Sequence, residues 1–152
     1  MISIRPIKTA DFSQIAQIEV ESFSDPYPPH LFHYLAEINP NLFLVAVENE
    51  VALGYIIAEI SQENELKIGH LLSLAVKREE RQKGVGHQLF LALLGVLKKQ
   101  NCKEVILEVR VSNYSAKIFY ERHGFRKLKR SRKYYKDGED ALIMGLKLED
   151  QL

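Results

Sequence analysis

Cysteine is all but missing from this 152-residue chain: Cys102 is the only one, so an internal disulfide is impossible. Its place between Asn101 and Lys103, just ahead of an apolar strand, marks an inert packing or surface residue rather than a nucleophile. No apolar run approaches the roughly 20 residues that a helical membrane span needs. Met1-Ile-Ser-Ile-Arg-Pro6 has no signal-type apolar core, and a cytoplasmic protein with no membrane partner is the expectation. Charge of one sign is absent too: 21 Lys and Arg against 20 Asp and Glu leave a formal net charge of +1, unlike a dedicated nucleic-acid binder, and no DNA partner is expected. His30 and His33 are three apart on a predicted helix, but no carboxylate or cysteine completes a ligand set, so no metal is expected. Internal repeats, low-complexity tracts and linkers are absent. With 46% hydrophobic residues, one domain spanning 1–152 is expected. A chain of this length buries roughly 70% of the surface it exposes when unfolded.

What the chain does have is an uninterrupted strand, glycine turn and helix between Gly69 and Gln100. Leu71 to Val76 is a short apolar run without a breaker, as a buried strand requires. Val85, Leu89, Leu93 and Val96/Leu97 then repeat at helical spacing. Gly84 and Gly86 between them let backbone approach a ligand closely. A helix N-terminus offers unpaired N–H groups and the positive end of its dipole, so the turn Arg81-Gln82-Lys83-Gly84-Val85-Gly86 is suited to an anion, above all a phosphate. A nucleoside-triphosphate loop would need Gly-x-x-x-x-Gly-Lys-Ser/Thr, which occurs nowhere. A dinucleotide fingerprint would need a third glycine where Leu89 stands.

Around this centre the order of elements is β, α, α, three antiparallel strands, α, β, α, β, β. Ile2 to Pro6 reads as a strand, and Thr9 as the cap of a helix whose stripe is Phe12, Ile15, Ile18 or Glu19, and Phe23. Asp25-Pro-Tyr-Pro-Pro29 cannot continue that helix, and a second one is predicted from about Pro29 to Ile38. Strands follow at Leu42–Val47, Val51–Ile60 and Glu65–Val76, the first two joined at Asn49-Glu50. Beyond the central helix come a strand at Glu104–Val109, with Val105, Leu107 and Val109 on one face, and a helix at about Asn113–Arg122 that stops at Gly124. Phe125–Tyr135 and Glu139–Leu148 are predicted as a hairpin about Asp137-Gly138. Only the crossover from the Leu71 strand to the Val105 strand need be parallel, giving an α/β chain with a mixed, mostly antiparallel seven-stranded sheet and helices on both faces.

Several segments taken in order carry a family resemblance. Gly69-His-Leu-Leu-Ser-Leu-Ala-Val76, the Arg81–Gly86 turn, Leu107-Glu-Val-Arg-Val-Ser-Asn113, Ala116–Tyr120 ahead of Gly124-Phe125, and Tyr134-Tyr-Lys-Asp-Gly-Glu-Asp-Ala141 are together similar to the protein N-terminal acetyltransferases of the GNAT superfamily. The RimI-type enzymes and the archaeal and eukaryotic catalytic subunits look most alike. The string around Tyr134 is far more specific than the glycine turn. The resemblance implies the GNAT fold, with one splayed parallel pair, and transfer of acetyl from acetyl-CoA to a protein α-amine by direct attack in a ternary complex.

It also implies roles. Leu74, Ala75 and Val76 would pair with the pantetheine arm, the Val76 N–H serving as oxyanion donor; Arg81, Gln82, Lys83, Gly84, Val85 and Gly86 would hold the pyrophosphate. Asn113 and Tyr120 would contact the coenzyme, with Tyr120 beside the departing sulfur as the acid that protonates the thiolate. Glu108 would be the base, helped by His70, and Asp25, Tyr27, Tyr134 and Tyr135 would line the peptide side. A modest base suffices, because an α-amine of pKa near 7.7–8.0 is about a tenth neutral at pH 7, whereas a lysine near 10.4 is neutral about once in a few thousand. Asp25-Pro26-Tyr27 departs from the Glu-Asn-Tyr common in the family, so the first-residue preference stays open. Other readings are acetylation of lysine or a small amine, and an acyl-CoA module without turnover. Ribosome or RNA docking is a further one, through a segment in which seven of the eleven residues from 126 to 136 are basic. A monomer or small homo-oligomer is expected.

Overall fold

The computed structural model describes residues 1–148. Its elements are β1 (Ser3–Pro6), α1 (Phe12–Ser22), α2 (Pro29–Ile38), β2 (Phe43–Glu48), β3 (Val51–Glu63), β4 (Leu66–Val76), α3 (Val85–Lys99), β5 (Glu104–Arg110), α4 (Tyr114–Arg122), β6 (Arg126–Ser131) and β7 (Ala141–Lys147). The seven strands form one sheet in the order β1-β2-β3-β4-β5-β7-β6. β1–β2, β2–β3, β5–β7 and β6–β7 pair antiparallel, while β4 and β5 run parallel, as the single crossover demanded. Among the described residues no helix is long and apolar enough to cross a membrane.

The chain packs as two compact units, and β3 and β4 contribute residues to both. One comprises Met1–Glu59 with Leu71–Gln100, the other Ile60–His70 with the chain from Asn101 onward. In the first, the turn between β2 and β3 places Asn49 and Glu50 at φ 52° and 64°, the left-handed pair of a tight hairpin whose twist suits the strands. Phe43, Val45 and Val47 of β2 pack with Ile15 and Ile18 of α1 and Phe32 and Leu35 of α2. The alternate residues Leu44 and Ala46 are buried as well, and α3 packs against β1 and β2, so this part of the sheet carries helices on both faces. Phe32, Phe43 and Tyr55 form an aromatic triangle with centroids 5.9–6.3 Å apart. Each is fully buried, which is worth about 1.5–3 kcal/mol apiece.

In the second unit, Val105, Leu107 and Val109 of β5 are buried, as are Leu142 and Met144 of β7. Asn64 and Glu65, at φ 50° and 69°, close another tight turn before β4. The β4–β5 ladder pairs Ile68–His70 with Glu104–Ile106. Gly124, at φ 94°, ends α4 as expected.

Three expectations change. Thr9 does not cap α1: the residue that satisfies the turn is Asp11, whose carboxylate accepts from the Lys8 N–H at 2.7 Å and from Arg5 at 2.7 and 3.1 Å. β3 continues three residues beyond Ile60, to Glu63. The last hairpin is not a ladder up to Asp137-Gly138. β6 stops at Ser131 because the Asp140 carboxylate takes the Lys133 N–H at 2.9 Å and Arg130 Nε at 2.6 Å, and Lys133 turns to φ 52°. Residues 132–140 are therefore a loop, with the expected turn at Gly138 (φ 90°) on its far side.

Candidate active site

In the first unit, β4 alternates strictly. Leu71, Ser73 and Ala75 are buried, while Leu72, Leu74 and Val76 are half-buried on the other face. The end of this strand is backed by Gly54, where a Cβ would stand 2.8 Å from the Ala75 carbonyl oxygen and 3.2 Å from Val76 Cα. Only glycine lets β3 come this near to the strand end. After Val76 the chain is tied back by Lys77 N–H to Leu53 O at 2.8 Å and makes one 3-10 turn at Arg78–Glu80. Arg81 braces the glycine turn from beneath: its Nε donates to Val76 O at 2.9 Å and its Nη2 to Ser22 Oγ at 3.3 Å.

Gln82 at φ 63° and Gly84 at φ 85° then swing the backbone into α3. The first bond of that helix runs from Gln88 N–H to Gly84 O at 3.0 Å, so the N–H groups before Gln88 head the dipole, and no acidic residue stands in the first turn. Nothing lies within 4 Å of a Cβ built on Gly84, and Lys83 reaches Glu80 at only 3.5 Å. This is the open, donor-rich turn that a pyrophosphate fits. Beside it lies a cavity of about 330 Å³ bordered by Ser22, Lys77, Arg78 and Arg81.

Behind β4 sits a group that the sequence pattern placed only as an alternative on the α1 stripe, with no partners and no role. Glu19 of α1 is 2% exposed, and its carboxylate accepts from the Tyr55 hydroxyl, from Ser73 Oγ at 3.2 Å and from the Tyr27 N–H at 3.0 Å. Desolvation, then the Glu19 charge and its hydrogen bond, push the Tyr55 hydroxyl far above the ordinary phenol range, so it stays a donor. Tyr27 is held twice over, since its hydroxyl also donates to Leu72 O at 3.3 Å. Asp25, in the same loop, is exposed.

In the second unit, His70 Nε2 and Glu108 Oε1 are 2.7 Å apart, with side chains 25% and 17% exposed. Register explains the meeting: His70 stands opposite Ile106, so Glu108, two residues on, shares the His70 face of the sheet. Burial, then the Glu108 carboxylate nearby, raise the Tyr134 pKa. Tyr135 lies edge-on to Tyr134 at 4.9 Å and under the Arg110 guanidinium at 4.0 Å, which Asp137 (2.8 Å) and Glu139 (3.0 Å) fix in place.

Tyr120 packs edge-on to Phe125 at 5.5 Å, and desolvation raises its hydroxyl well above the ordinary value. Asn113 caps α4, accepting from the Ala116 N–H at 3.2 Å. Of the expected acid–base and peptide-side residues, then, the structure joins His70 and Glu108 directly, with Tyr134 near the carboxylate. Among the described residues no cluster of histidine, cysteine and carboxylates could hold a metal ion.

Residues 12–125 match the Acetyltransferase (GNAT) family. The chain belongs to that family. It is 41% identical over 142 residues to an uncharacterized N-acetyltransferase of Methanocaldococcus jannaschii, covering 93% of this chain and 88% of the relative. It is 37% identical over 153 residues to an N-alpha-acetyltransferase of Saccharolobus solfataricus, covering 94% and 91%. A solved NatC complex bound to Gag peptide and CoA superposes with a TM-score of 0.90 at 26% identity, over 97% of this chain and 99% of that one. The GNAT fold thus accounts for the one parallel pair, and acetyl-CoA is the acetyl donor that GNAT acetyltransferases use.

Proposed function

We propose that this GNAT chain transfers the acetyl group of acetyl-CoA to the α-amine of protein N-termini, with Glu108 as the base and His70 as its partner. The observation that carries the assignment is the 2.7 Å contact of His70 with Glu108, both side chains partly exposed. An α-amine is already about a tenth neutral at pH 7, so a carboxylate reaching it directly or through one water is base enough. The amine nitrogen bonds to the acetyl carbon, the carbon–sulfur bond breaks, and the amine's surplus proton passes to Glu108.

The coenzyme supplies an activated thioester, and this chain's own groups bind and polarise it. The α3 N-terminus with Gln82, Lys83, Gly84, Val85 and Gly86 holds the pyrophosphate, Arg81 braces that turn, and Leu74, Ala75 and Val76 present backbone to the pantetheine, with the Val76 N–H toward the carbonyl oxygen. Tyr120 donates a hydrogen bond to the departing sulfur. Its raised pKa keeps the phenol neutral, and since a thiol is ordinarily the stronger acid, near 8.5 against 10, solvent rather than Tyr120 returns the proton in the end. Asn113 touches the coenzyme from its place at the head of α4. Asp25, Tyr27, Tyr134 and Tyr135 contact the first residues of the peptide. A cytoplasmic setting, action as a monomer or small homo-oligomer, and work near the ribosome, where N-termini emerge, belong to the same reading.

The test is mass spectrometry of a peptide panel after incubation with acetyl-CoA. Peptides with free N-termini should gain one acetyl group at the α-amine, whereas the same peptides blocked there but carrying lysine should not. Preferential acetylation of lysine or polyamines would place the chain on another GNAT branch.

A further inference from the structure

Among the described residues, the segment from Arg126 to Lys136 holds six cations besides Arg130 that no carboxylate pairs with. β6 is the edge strand of the sheet, and Arg126, Lys127, Lys129, Arg130, Arg132, Lys133 and Lys136 are all exposed. The acids of the adjoining loop are already engaged. Asp137 and Glu139 grip Arg110, Glu139 also takes the Ser112 N–H at 2.9 Å, and Asp140 is shared between Arg130 and the Lys133 N–H. Among the described residues, Arg130 alone of the seven cations makes an ion pair within 4 Å.

Their placement relates them to Glu108. Glu108 is opposite Ile143 on β7, and Ile143 is opposite Lys129 on β6. Ile106, Gly145 and Arg126 line up the same way. Residues opposite one another point to the same face, so Lys129 and Arg126 share the face of Glu108, two strand spacings or roughly 9–10 Å away. That distance is about three residues of extended chain. The strand then runs into the loop where Tyr134, which lies near Glu108, is flanked by Arg132, Lys133 and Lys136.

We propose that this basic edge receives an acidic stretch of the substrate polypeptide, from about its third residue onward, while the α-amine lies at Glu108; the proposal rests on the N-terminal acetylation reading. A polyphosphate fits less well, because a net charge of +1 provides no long-range field to gather it. A peptide delivered at Glu108 needs only the local one. Lysines on an edge strand also discourage strand addition, but that role would leave peptide choice unchanged.

The experiment uses the full chain, acetyl-CoA and three peptides with identical first two residues, followed by acidic, neutral or basic third to sixth residues. At about 50 mM salt, kcat/KM should rank acidic over neutral over basic, with about tenfold or more between the extremes and most of it in KM; about 500 mM salt should compress the ranking. Lys129→Glu with Arg132→Glu and Lys136→Glu should invert the order, and the corresponding three changes to Gln, which add no repulsion, should flatten it. Thermal melting of both variants shows whether the fold is kept. Equal rates for acidic and basic peptides at low salt would overturn the inference, as would a ranking that the charge reversals leave untouched while single-stranded RNA binds the same edge with a steep salt slope. No α-acetylation of any of the three would overturn the underlying reading as well.

Discussion

The contact between His70 and Glu108 makes a quantitative claim about how the two act. Had they stood apart, each could serve as a separate proton acceptor, and losses on replacement would multiply. At 2.7 Å, with a histidine nitrogen on one carboxylate oxygen, either replacement disrupts the same unit. Positioned acid–base groups are worth 10²- to 10⁴-fold, or about 2.7–5.4 kcal/mol of barrier. We therefore expect His70→Ala and Glu108→Gln each to lower kcat on the order of 10²-fold, with KM for acetyl-CoA little changed. The double variant should fall only a few-fold below the worse single, not the further roughly 10²-fold (about 10⁴-fold below the parent) of independent groups. The assay is steady-state thiol release with a free-N-terminal peptide, each variant checked by thermal melting. Raising pH from 7 to 9 should rescue the double variant by nearly tenfold, because the fraction of neutral α-amine climbs from about a tenth to about nine-tenths. Losses that multiply would refute the coupled unit, and full activity of the double variant at pH 7 would leave bulk water as the acceptor.

Gly84→Asp should weaken coenzyme A binding by at least tenfold in calorimetry, since it sets a like charge at the α3 N-terminus and a Cβ at φ 85°; unchanged affinity would remove the turn from its role. Tyr55→Phe should cost about 1–3 kcal/mol in urea unfolding, because it takes one donor from a carboxylate that is 2% exposed. Desolvation raises the Asp11 pKa, but the Arg5 hydrogen bond, the Lys8 N–H and both charges outweigh it and hold it below the usual value. Its stabilising effect is thus complete above the unfolded pKa of about 3.9 and fades as pH falls through the lower folded value, so Asp11→Asn should destabilise at pH 7 and much less at pH 2. Gly54→Ala should raise the KM for acetyl-CoA by displacing the Ala75–Val76 backbone, read against the melting temperature, which a merely structural change would lower with KM intact.

What could be read from the residues was whatever one short window decides by itself. Pro29 and Asn39 bound α2 because a proline starts a helix and Asn39-Pro40 cannot continue one. Val85, Leu89, Leu93 and Leu97 gave the buried stripe of α3, and the even spacing of Val105, Leu107 and Val109 gave the buried face of β5. What escaped depends on where distant chain segments meet. The sequence put His70 and Glu108 on neighbouring strands, but whether they touch is a matter of register, and one residue of slip would send Glu108 to the opposite face. The loop at residues 132–140 escaped because Asp140 takes a backbone N–H seven residues earlier, which no turn motif announces. Glu19 shows the limit best. Its spacing was that of an apolar stripe, so periodicity placed it toward the core without saying how a carboxylate could live there. The answer lies in Tyr55 and Ser73, two strands that face it, and in the Tyr27 N–H eight residues on. A buried carboxylate that loses such partners is costly, and an apolar residue of similar size would often be as stable. The gain from keeping Glu19 is therefore geometric: one carboxylate fixes a helix, two strands and the loop that carries Tyr27 in a single arrangement.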